Sequence, residues 1–221
     1  MASGQAIHDL IEMAVSRLSA DGLIGYPTET VWGLGACADR EIAVERLFAW
    51  KGRRTNQPVA VLVSSPEAAL RIGCRLDPPV LRLIEAFWPG PLMIVVPCEG
   101  QFARGVARDD GALGLRCSTH PLAHRLTEAV DAAGLGPLVS TSLNRTGESP
   151  AVDLGAAQAV VTAGVEDGLE SPLLISSPMS SGLAEAGVGR PSSVVDCTGP
   201  LPKVLRVGAI ETALIEKAWA Q

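Results

Sequence analysis

Apolar residues recur along the chain at two spacings, one typical of helices and one typical of buried strands. Helical spacing near the N-terminus is shown by Ile7, Leu10, Ile11, Ala14, Val15 and Leu18. This spacing predicts an amphipathic helix that ends at the turn signal Asp21-Gly22. Further helices are predicted over 39–50, with Asp39 as the capping residue, and over 66–87, 120–133, 153–163 and 209–220.

Short apolar runs predict the strands. VAVLV (59–63) and LMIVVP (92–97) contain no polar side chain, so we expect both strands to be covered on both faces. Further strands are predicted over 23–27, 111–117, 137–142, 172–176, 193–199 and 203–208. Strands and helices alternate irregularly, without a repeat of 20–50 residues. The pattern predicts an α/β or α+β fold with a mixed sheet, in one domain over residues 1–221.

Composition narrows the classes of function. With 221 residues, 47% of them hydrophobic, the chain can bury a large core. A net charge of -6 argues against a primary nucleic-acid binder, and 4% aromatic residues argue against rows of base-stacking side chains. Five widely spaced cysteines, no apolar leader and no run of about 18 apolar residues predict reduced thiols, a cytoplasmic location and no membrane contact.

Several common motifs do not fit. Gly33 to Ala38 reads G-x-G-x-x-A, but an intervening polar segment separates it from the preceding strand, whereas dinucleotide-binding glycines follow the strand at once. His120 and His124 have zinc-ligand spacing, yet Pro121 stands where the glutamate of that motif belongs, so helix-start and surface roles are expected. The sequence contains no nucleophile elbow and no P-loop.

Polar turns at the ends of the predicted strands are the remaining candidates for a site. They are Thr28/Glu29/Thr30, Lys51/Arg53/Arg54, Arg116, Ser140/Thr141/Ser142/Asn144, Ser192/Ser193 and Arg206. Ligands of open α/β sheets gather at strand ends. Cationic side chains supply charge for phosphate and carboxylate, while hydroxyls and amides supply direction. This chemistry suits an anionic ligand such as ATP together with an amino acid.

Ordered motifs over about residues 20–210 resemble those of one family. They are YPTETVWGLG (26–35), KGRRTNQPV (51–59), WPGPLMIVV (88–96), LGLRCSTHPLA (113–123), PLVSTSLNRTGE (137–148), GRPSSVVDCTG (189–199) and KVLRVGAI (203–210). With them the chain resembles the YrdC-like threonylcarbamoyl-AMP synthases, also called TsaC, in their short single-domain form. The resemblance implies a YrdC-like open, twisted, mixed β-sheet flanked by helices.

The resemblance also implies a reaction. L-threonine, bicarbonate and ATP, with Mg²⁺ on the phosphates, would give threonylcarbamoyl-AMP and pyrophosphate. A downstream threonylcarbamoyl transferase complex would then modify the tRNA adenosine next to the anticodon. Neither step requires a protein nucleophile or a metal held by protein side chains, so positioning and charge neutralisation are expected to dominate.

Residue roles follow from the same resemblance. Contacts to L-threonine are expected from Thr28, Arg116, Thr141 and Ser193. Contacts to the nucleotide are expected from Lys51, Arg53, Ser140, Ser142, Asn144 and Arg206. Lys51 and Arg53 are also the expected catalytic residues, because their charges would stabilise negative charge developing at phosphorus.

Departures from the family pattern leave alternatives open. Trp32 replaces the usual tyrosine, and Met93 and Leu143 replace smaller residues, so both of the latter are expected to reshape the pocket. A segment rich in glycine and serine (178–192) is interpreted as a mobile lid. The alternative function is a module binding double-stranded RNA or tRNA through Arg53, Arg54, Arg104, Arg108 and Arg145. A third reading, an enzyme using carbamoyl phosphate, is disfavoured because such relatives are much longer.

Overall fold

Helices and strands alternate irregularly over residues 2–54, 57–176 and 190–221, which are the residues that the computed structural model describes. The helices are α1 (Ala2–Ser19), α2 (Glu41–Lys51), α3 (Pro66–Arg71), α4 (Pro78–Phe87), α5 (Pro121–Ala132), α6 (Leu154–Glu166) and α7 (Thr212–Ala220). The strands are β1 (Ile24–Tyr26), β2 (Gly33–Gly35), β3 (Ala60–Leu62), β4 (Leu92–Pro97), β5 (Ala112–Arg116), β6 (Leu138–Ser142), β7 (Leu173–Leu174), β8 (Ser193–Asp196) and β9 (Lys203–Arg206). Most of the predicted lid, 178–189, lies outside the described residues.

One mixed sheet joins these strands in the order β7-β1-β2-β6-β3-β5-β4-β8-β9. Three neighbouring pairs are parallel, namely β1 with β7, β3 with β5 and β4 with β8. The other five pairs are antiparallel. Helices flank the sheet, so the predicted fold class is confirmed.

The two faces of the sheet carry different side chains. Val61 and Val139 lie opposite each other on one face and belong to the larger hydrophobic core, which includes residues of α2, α4, α6 and α7. Ala60 and Ser140 are paired in the next register position and therefore point to the opposite face. Part of this second face carries a smaller core with residues of α1 and α5. The second face is therefore apolar beside these helices and polar elsewhere.

The strand β2 was not predicted, because Gly-Leu-Gly has low strand propensity and was interpreted as part of a loop. In the structure Tyr26 pairs with Gly33, and its fully buried ring lies across both glycines of β2. A Cβ atom on Gly33 would lie 2.7 Å from Tyr26 Cζ, and one on Gly35 would lie 2.9 Å from Tyr26 Cε1. The glycines therefore make room for an aromatic ring rather than for a dinucleotide.

Two helix starts were predicted from polar residues, with different outcomes. Asp39 does not cap α2, because Arg40 is the residue whose carbonyl accepts the first helical hydrogen bond, from Val44 N at 3.0 Å. His120 does cap α5, since its Nδ1 accepts a hydrogen bond from Leu122 N at 3.2 Å. The helix-start role predicted for His120 is confirmed.

We expect Gly33→Ala to lower the free energy of unfolding by about 1–3 kcal/mol, because the added methyl group overpacks the ring of Tyr26. Urea denaturation at neutral pH measures the change. The matched control is Gly4→Ala, at an exposed position near the start of α1 where a Cβ atom meets nothing within 4 Å, and it should be neutral or slightly stabilising. Equal stability of the two variants would contradict the packing role of Gly33.

Candidate functional site

A cavity of about 410 Å³ lies on the polar part of the second sheet face. Its walls come from the turn after β1, the starts of β2 and β3, the ends of β5 and β6, and the flanks of β8 and β9. Eight of the ten predicted site residues line it, namely Thr28, Arg53, Arg116, Ser140, Thr141, Ser142, Asn144 and Arg206. The sheet thus brings together polar turns that are separated by up to 178 positions in the sequence (206 - 28).

Arg116 is the most deeply buried arginine of the cavity, with 7% of its side chain exposed. Its Nη2 lies 2.8 Å from Glu29 Oε1 and donates a hydrogen bond to Thr30 Oγ1 at 2.8 Å. Its buried Nε has no hydrogen-bond partner among the described residues. A buried donor without a partner is costly, so this guanidinium can still donate a hydrogen bond to an anionic oxygen of a ligand.

Glu29 holds the other side of this ion pair. Its second carboxylate oxygen accepts a hydrogen bond from Ser118 Oγ. Burial raises the pKa of Glu29, but the charge of Arg116 and the hydrogen bonds from Arg116 and Ser118 outweigh it, so the pKa lies below its ordinary value. Glu29 is therefore ionised at neutral pH and fixes the position of Arg116.

Thr28 organises the turn between β1 and β2. Its hydroxyl donates to Val31 O at 2.6 Å and accepts from Thr30 N at 3.2 Å. Arg116 Nη2 lies 3.5 Å from the same hydroxyl. The segment that the sequence presented as a polar turn is thus closed by its own hydrogen bonds, with two hydroxyl groups beside the guanidinium.

Lys51 does not line the cavity but lies buried behind the turn that follows β6. Its Nζ donates to Ser142 O at 2.5 Å, to Asn144 O at 3.0 Å and to Asn144 Oδ1 at 3.1 Å. Burial, together with the charges of Arg53 and Arg145, lowers the pKa of Lys51 to about 7. In this conformation the ammonium group supports residues 142–144, which themselves line the cavity.

Arg53 and Arg206 add two cations to the cavity wall. Arg53 donates to Gln57 O and Pro58 O at 2.9 and 2.8 Å. Arg206 holds Ser192 O with two hydrogen bonds of 3.0 and 2.8 Å. Partial desolvation lowers the pKa of Arg206, an otherwise exposed residue, and repulsion from the charge of Arg116 adds to the shift. An anionic ligand would relieve this repulsion.

Ser193 was expected to line the threonine pocket, and the structure places it elsewhere. Its fully buried hydroxyl donates to Ile210 O and accepts from Gly208 N and Ile210 N, so its bonding capacity is used inside the protein. The alternation of side chains along β8 explains this, because the preceding Ser192 takes the position in the cavity wall.

The residues that depart from the family pattern lie in two different parts of the structure. Met93 and Trp32 line the cavity. Leu143 is fully buried in the larger core, and its side chain approaches the position of a Cβ atom on Gly25 instead. The expectation that Leu143 shapes the pocket was wrong, because its side chain lies in the larger core and not in the cavity wall.

Some cavity residues were not predicted. Thr30 and Ser192 line the cavity and belong to polar turns that the sequence marks as candidates. The substrate contacts were predicted only for their neighbours Thr28 and Ser193. Glu148 and Pro150 also line the cavity. Glu148 ends the motif PLVSTSLNRTGE but was given no role, and Pro150 lies just beyond that motif. Their places are set by the loop after β6, where Asn144 Nδ2 donates to Arg145 O and Glu148 O.

Arginines proposed for the RNA-binding alternative are largely engaged in local contacts. Arg108 forms ion pairs with Asp110 and Asp196. Arg145 donates to Trp50 O. Within the part of the chain that the structure describes, no three His, Cys, Asp or Glu side chains are grouped as metal ligands, and no helix is long and apolar enough to cross a membrane.

Comparison with known proteins identifies the family of this chain. The model of the Sua5/YciO/YrdC family, described as telomere recombination, matches residues 16–208. The chain belongs to this family. A threonylcarbamoyl-AMP synthase of Hahella chejuensis is 34% identical over 84% of this chain and 92% of its own. Another, from Xanthomonas euvesicatoria, is 38% identical over 72% of this chain and 85% of its own.

Solved structures agree with the fold. The structure of P. abyssi Sua5, described as complexed with L-threonine, has a TM-score of 0.78 and 27% identity to this chain. The match covers 94% of this chain but 56% of that Sua5 chain, so this protein spans little more than half of the longer relative. E. coli YciO has a TM-score of 0.71 at 23% identity and shares the fold over 92% of this chain.

We expect Glu29→Gln to lower the free energy of unfolding at pH 7 by about 1–3 kcal/mol, because Arg116 loses its charge partner in a largely buried position. The folded pKa of Glu29 lies below 4.5, so its contribution is present above that pH and is lost as the pH falls through the folded pKa. The difference from the wild type should therefore shrink towards pH 3.

Urea denaturation at a series of pH values checks this expectation. The control is Glu85→Gln, an exposed glutamate on α4, which should stay within about 0.5 kcal/mol of the wild type throughout. A difference for Glu29→Gln that does not depend on pH would show that the ion pair is not its cause.

Proposed function

We propose that this protein is an L-threonylcarbamoyladenylate synthase, an ATP-dependent nucleotidyltransferase. The observation that carries the proposal is the convergence of Arg53, Arg116 and Arg206 on one cavity that also presents the hydroxyl groups of β6. Such a set suits two anionic substrates held side by side. The family membership and the names of the curated relatives support the same activity.

L-Threonine is the proposed amino acid substrate. Arg116 would pair with its carboxylate through guanidinium donors such as Nε, which has no partner among the described residues. Thr28 and Thr141 would contact the substrate beside it. The structure of P. abyssi Sua5 described as complexed with L-threonine supports this choice. Ser193 would act indirectly in this arrangement, by holding the segment that presents Ser192.

ATP is the proposed second substrate. Arg53, Ser140, Ser142, Asn144 and Arg206 line the cavity wall and would contact the nucleotide. Lys51 would either reach the triphosphate by changing rotamer or act through residues 142–144, which it holds in place. In both cases its ammonium form is required, and an approaching polyanion favours that form.

The chemistry uses the substrates themselves as nucleophiles. The amine of L-threonine attacks the carbon of CO2 in equilibrium with bicarbonate and loses a proton, which gives a carbamate. A carbamate oxygen then attacks the α-phosphorus of ATP, the bond to the β-phosphate oxygen breaks, and pyrophosphate leaves. The arginines stabilise the charge on the phosphates. Mg²⁺ bound to the phosphate oxygens would supply further charge neutralisation.

The product defines the partners that we propose. Threonylcarbamoyl-AMP is a mixed anhydride, so a downstream threonylcarbamoyl transferase complex must consume it, and the acceptor is a tRNA adenosine next to the anticodon. The reaction would take place in the cytoplasm, where ATP and bicarbonate are present. Direct binding of tRNA by this chain is not needed for the reaction.

We expect pyrophosphate release from ATP, Mg²⁺ and bicarbonate to depend on L-threonine. The measurement is a coupled pyrophosphate assay, together with mass spectrometry of the nucleotide product. Omitting L-threonine or bicarbonate is the control for simple ATP hydrolysis. Folded protein that releases no pyrophosphate with all substrates present would contradict the proposed activity.

Arg116→Ala and Lys51→Ala should separate the two substrates. Removing a charge-assisted contact to a buried anion costs on the order of 2–4 kcal/mol, roughly 30- to 1000-fold in kcat/KM. We expect Arg116→Ala to raise mainly the KM for L-threonine, and Lys51→Ala to raise the KM for ATP and lower kcat. Initial rates with one substrate varied at a time measure this.

Arg75→Ala is the matched control, because Arg75 is exposed and pairs only with Asp77 among the described residues. Its kinetics should equal those of the wild type. Near-normal pyrophosphate release by Lys51→Ala would show that the role proposed for Lys51 is wrong. The reverse pattern of KM changes would exchange the assignments of Arg116 and Lys51.

A further inference from the structure

Two cysteines far from the cavity face each other across a short antiparallel bridge. Cys74 follows α3 and Cys98 follows β4, and their Cα atoms are partners in this bridge. The flanking residues make the hydrogen bonds, from Glu99 N to Gly73 O and from Arg75 N to Pro97 O, both at 2.9 Å. The cysteines therefore form the narrow, non-hydrogen-bonded type of pair, in which side chains lie closest.

This geometry matches the requirements of a disulfide. The Cα atoms of such pairs are about 4.5 Å apart, which lies within the range of about 4.4–6.8 Å found for disulfides. The two sulfur atoms are already 3.0 Å apart. Bond formation would require no rearrangement of the backbone.

The two cysteines differ in their exposure to solvent. Cys98 is partly exposed, whereas Cys74 is buried. A cavity of about 360 Å³ is lined by the residues next to them, including Ile72, Gly73, Glu99 and Gly100. Cys74 donates a hydrogen bond to Cys98 Sγ, which lowers the pKa of Cys98, and Cys98 Sγ also lies 3.4 Å from Ile72 O. Cys98 thus has the exposure and the thiolate character of an attacking sulfur.

The other three cysteines lack these properties. Cys37, Cys117 and Cys197 are buried, and none of their sulfurs has another cysteine sulfur as a hydrogen-bond partner in the described residues. Burial raises the pKa of each thiol. They are structural residues and serve as controls.

We propose that Cys74 and Cys98 form a reversible intramolecular disulfide when the chain meets a small disulfide oxidant such as oxidised glutathione. The Cys98 thiolate attacks one sulfur of the oxidant, and a glutathione thiolate leaves. The sulfur of Cys74 then attacks Cys98 Sγ, the bond from Cys98 to glutathione breaks, and the proton of Cys74 passes to the departing glutathione thiolate. The two protein thiols lose two electrons in total, and the oxidant gains them.

The bond would join the end of α3 to the end of β4 and close a loop of 24 positions (98 - 74) that contains α4. Neither cysteine lines the substrate cavity. The expected consequence is therefore higher stability of the oxidised chain, with little change in catalysis. The proposal does not depend on the proposed enzymatic function.

The first test is a mass measurement on the full chain. After incubation with oxidised glutathione, the protein is alkylated under denaturing conditions, digested and mapped. We expect three alkylated cysteines, a cross-linked Cys74–Cys98 peptide, and full reversal by dithiothreitol. Cys117→Ser should still form the bond, whereas Cys98→Ser should not. Five alkylated cysteines, a lasting glutathione adduct without a cross-link, or a different pairing would each overturn the proposal.

Thermal unfolding supplies a second readout. Oxidation should raise Tm by roughly 5–10 °C in the wild type and in Cys117→Ser, because a closed loop of this length restricts the unfolded chain. Cys74→Ser, treated in the same way, should show no rise. An oxidised wild type with an unchanged or lower Tm would contradict the stabilising role of the bond.

Discussion

The buried charge of Arg116 is the constraint on which the rest of the cavity depends. A guanidinium group that is almost removed from water needs a compensating charge, and Glu29 supplies it from the turn after β1. The same turn places Thr28 and Thr30 beside the guanidinium. One donor of the guanidinium, Nε, has no partner among the described residues, so the ion pair with Glu29 does not use all of its hydrogen-bonding capacity.

Hydrogen bonds within the protein hold most of the surrounding polar groups before any ligand arrives. Lys51 fixes residues 142–144 from behind, and Arg206 fixes the backbone at Ser192. Such contacts reduce the conformational entropy that substrate binding would otherwise cost. Arg116 and Arg206 carry like charges in the wall of one cavity, and an anionic substrate would offset both of them.

The packing of Tyr26 against β2 keeps this arrangement compact. The ring of Tyr26 packs against the two glycines of β2. Because these residues have no side chains, the ring can lie over β2 while the strand pairs with both β1 and β6. The segment YPTETVWGLG therefore does two things. Its threonines and glutamate organise the cavity, and its tyrosine and glycines join the sheet to the smaller core beneath α1 and α5.

The sequence by itself determined α1 from its helical spacing, β4 from its unbroken apolar run, and the mixed α/β fold, because the pattern of apolar residues reports which surfaces are buried. It also marked the polar turns that form the cavity, since unexplained charges at strand ends are unusual. Only the tertiary structure decided that β2 is a strand, that Ser192 rather than Ser193 lines the cavity, that Leu143 belongs to the core, and that Lys51 lies behind the turn. These outcomes depend on the register between strands and on contacts between distant residues, which no local pattern contains.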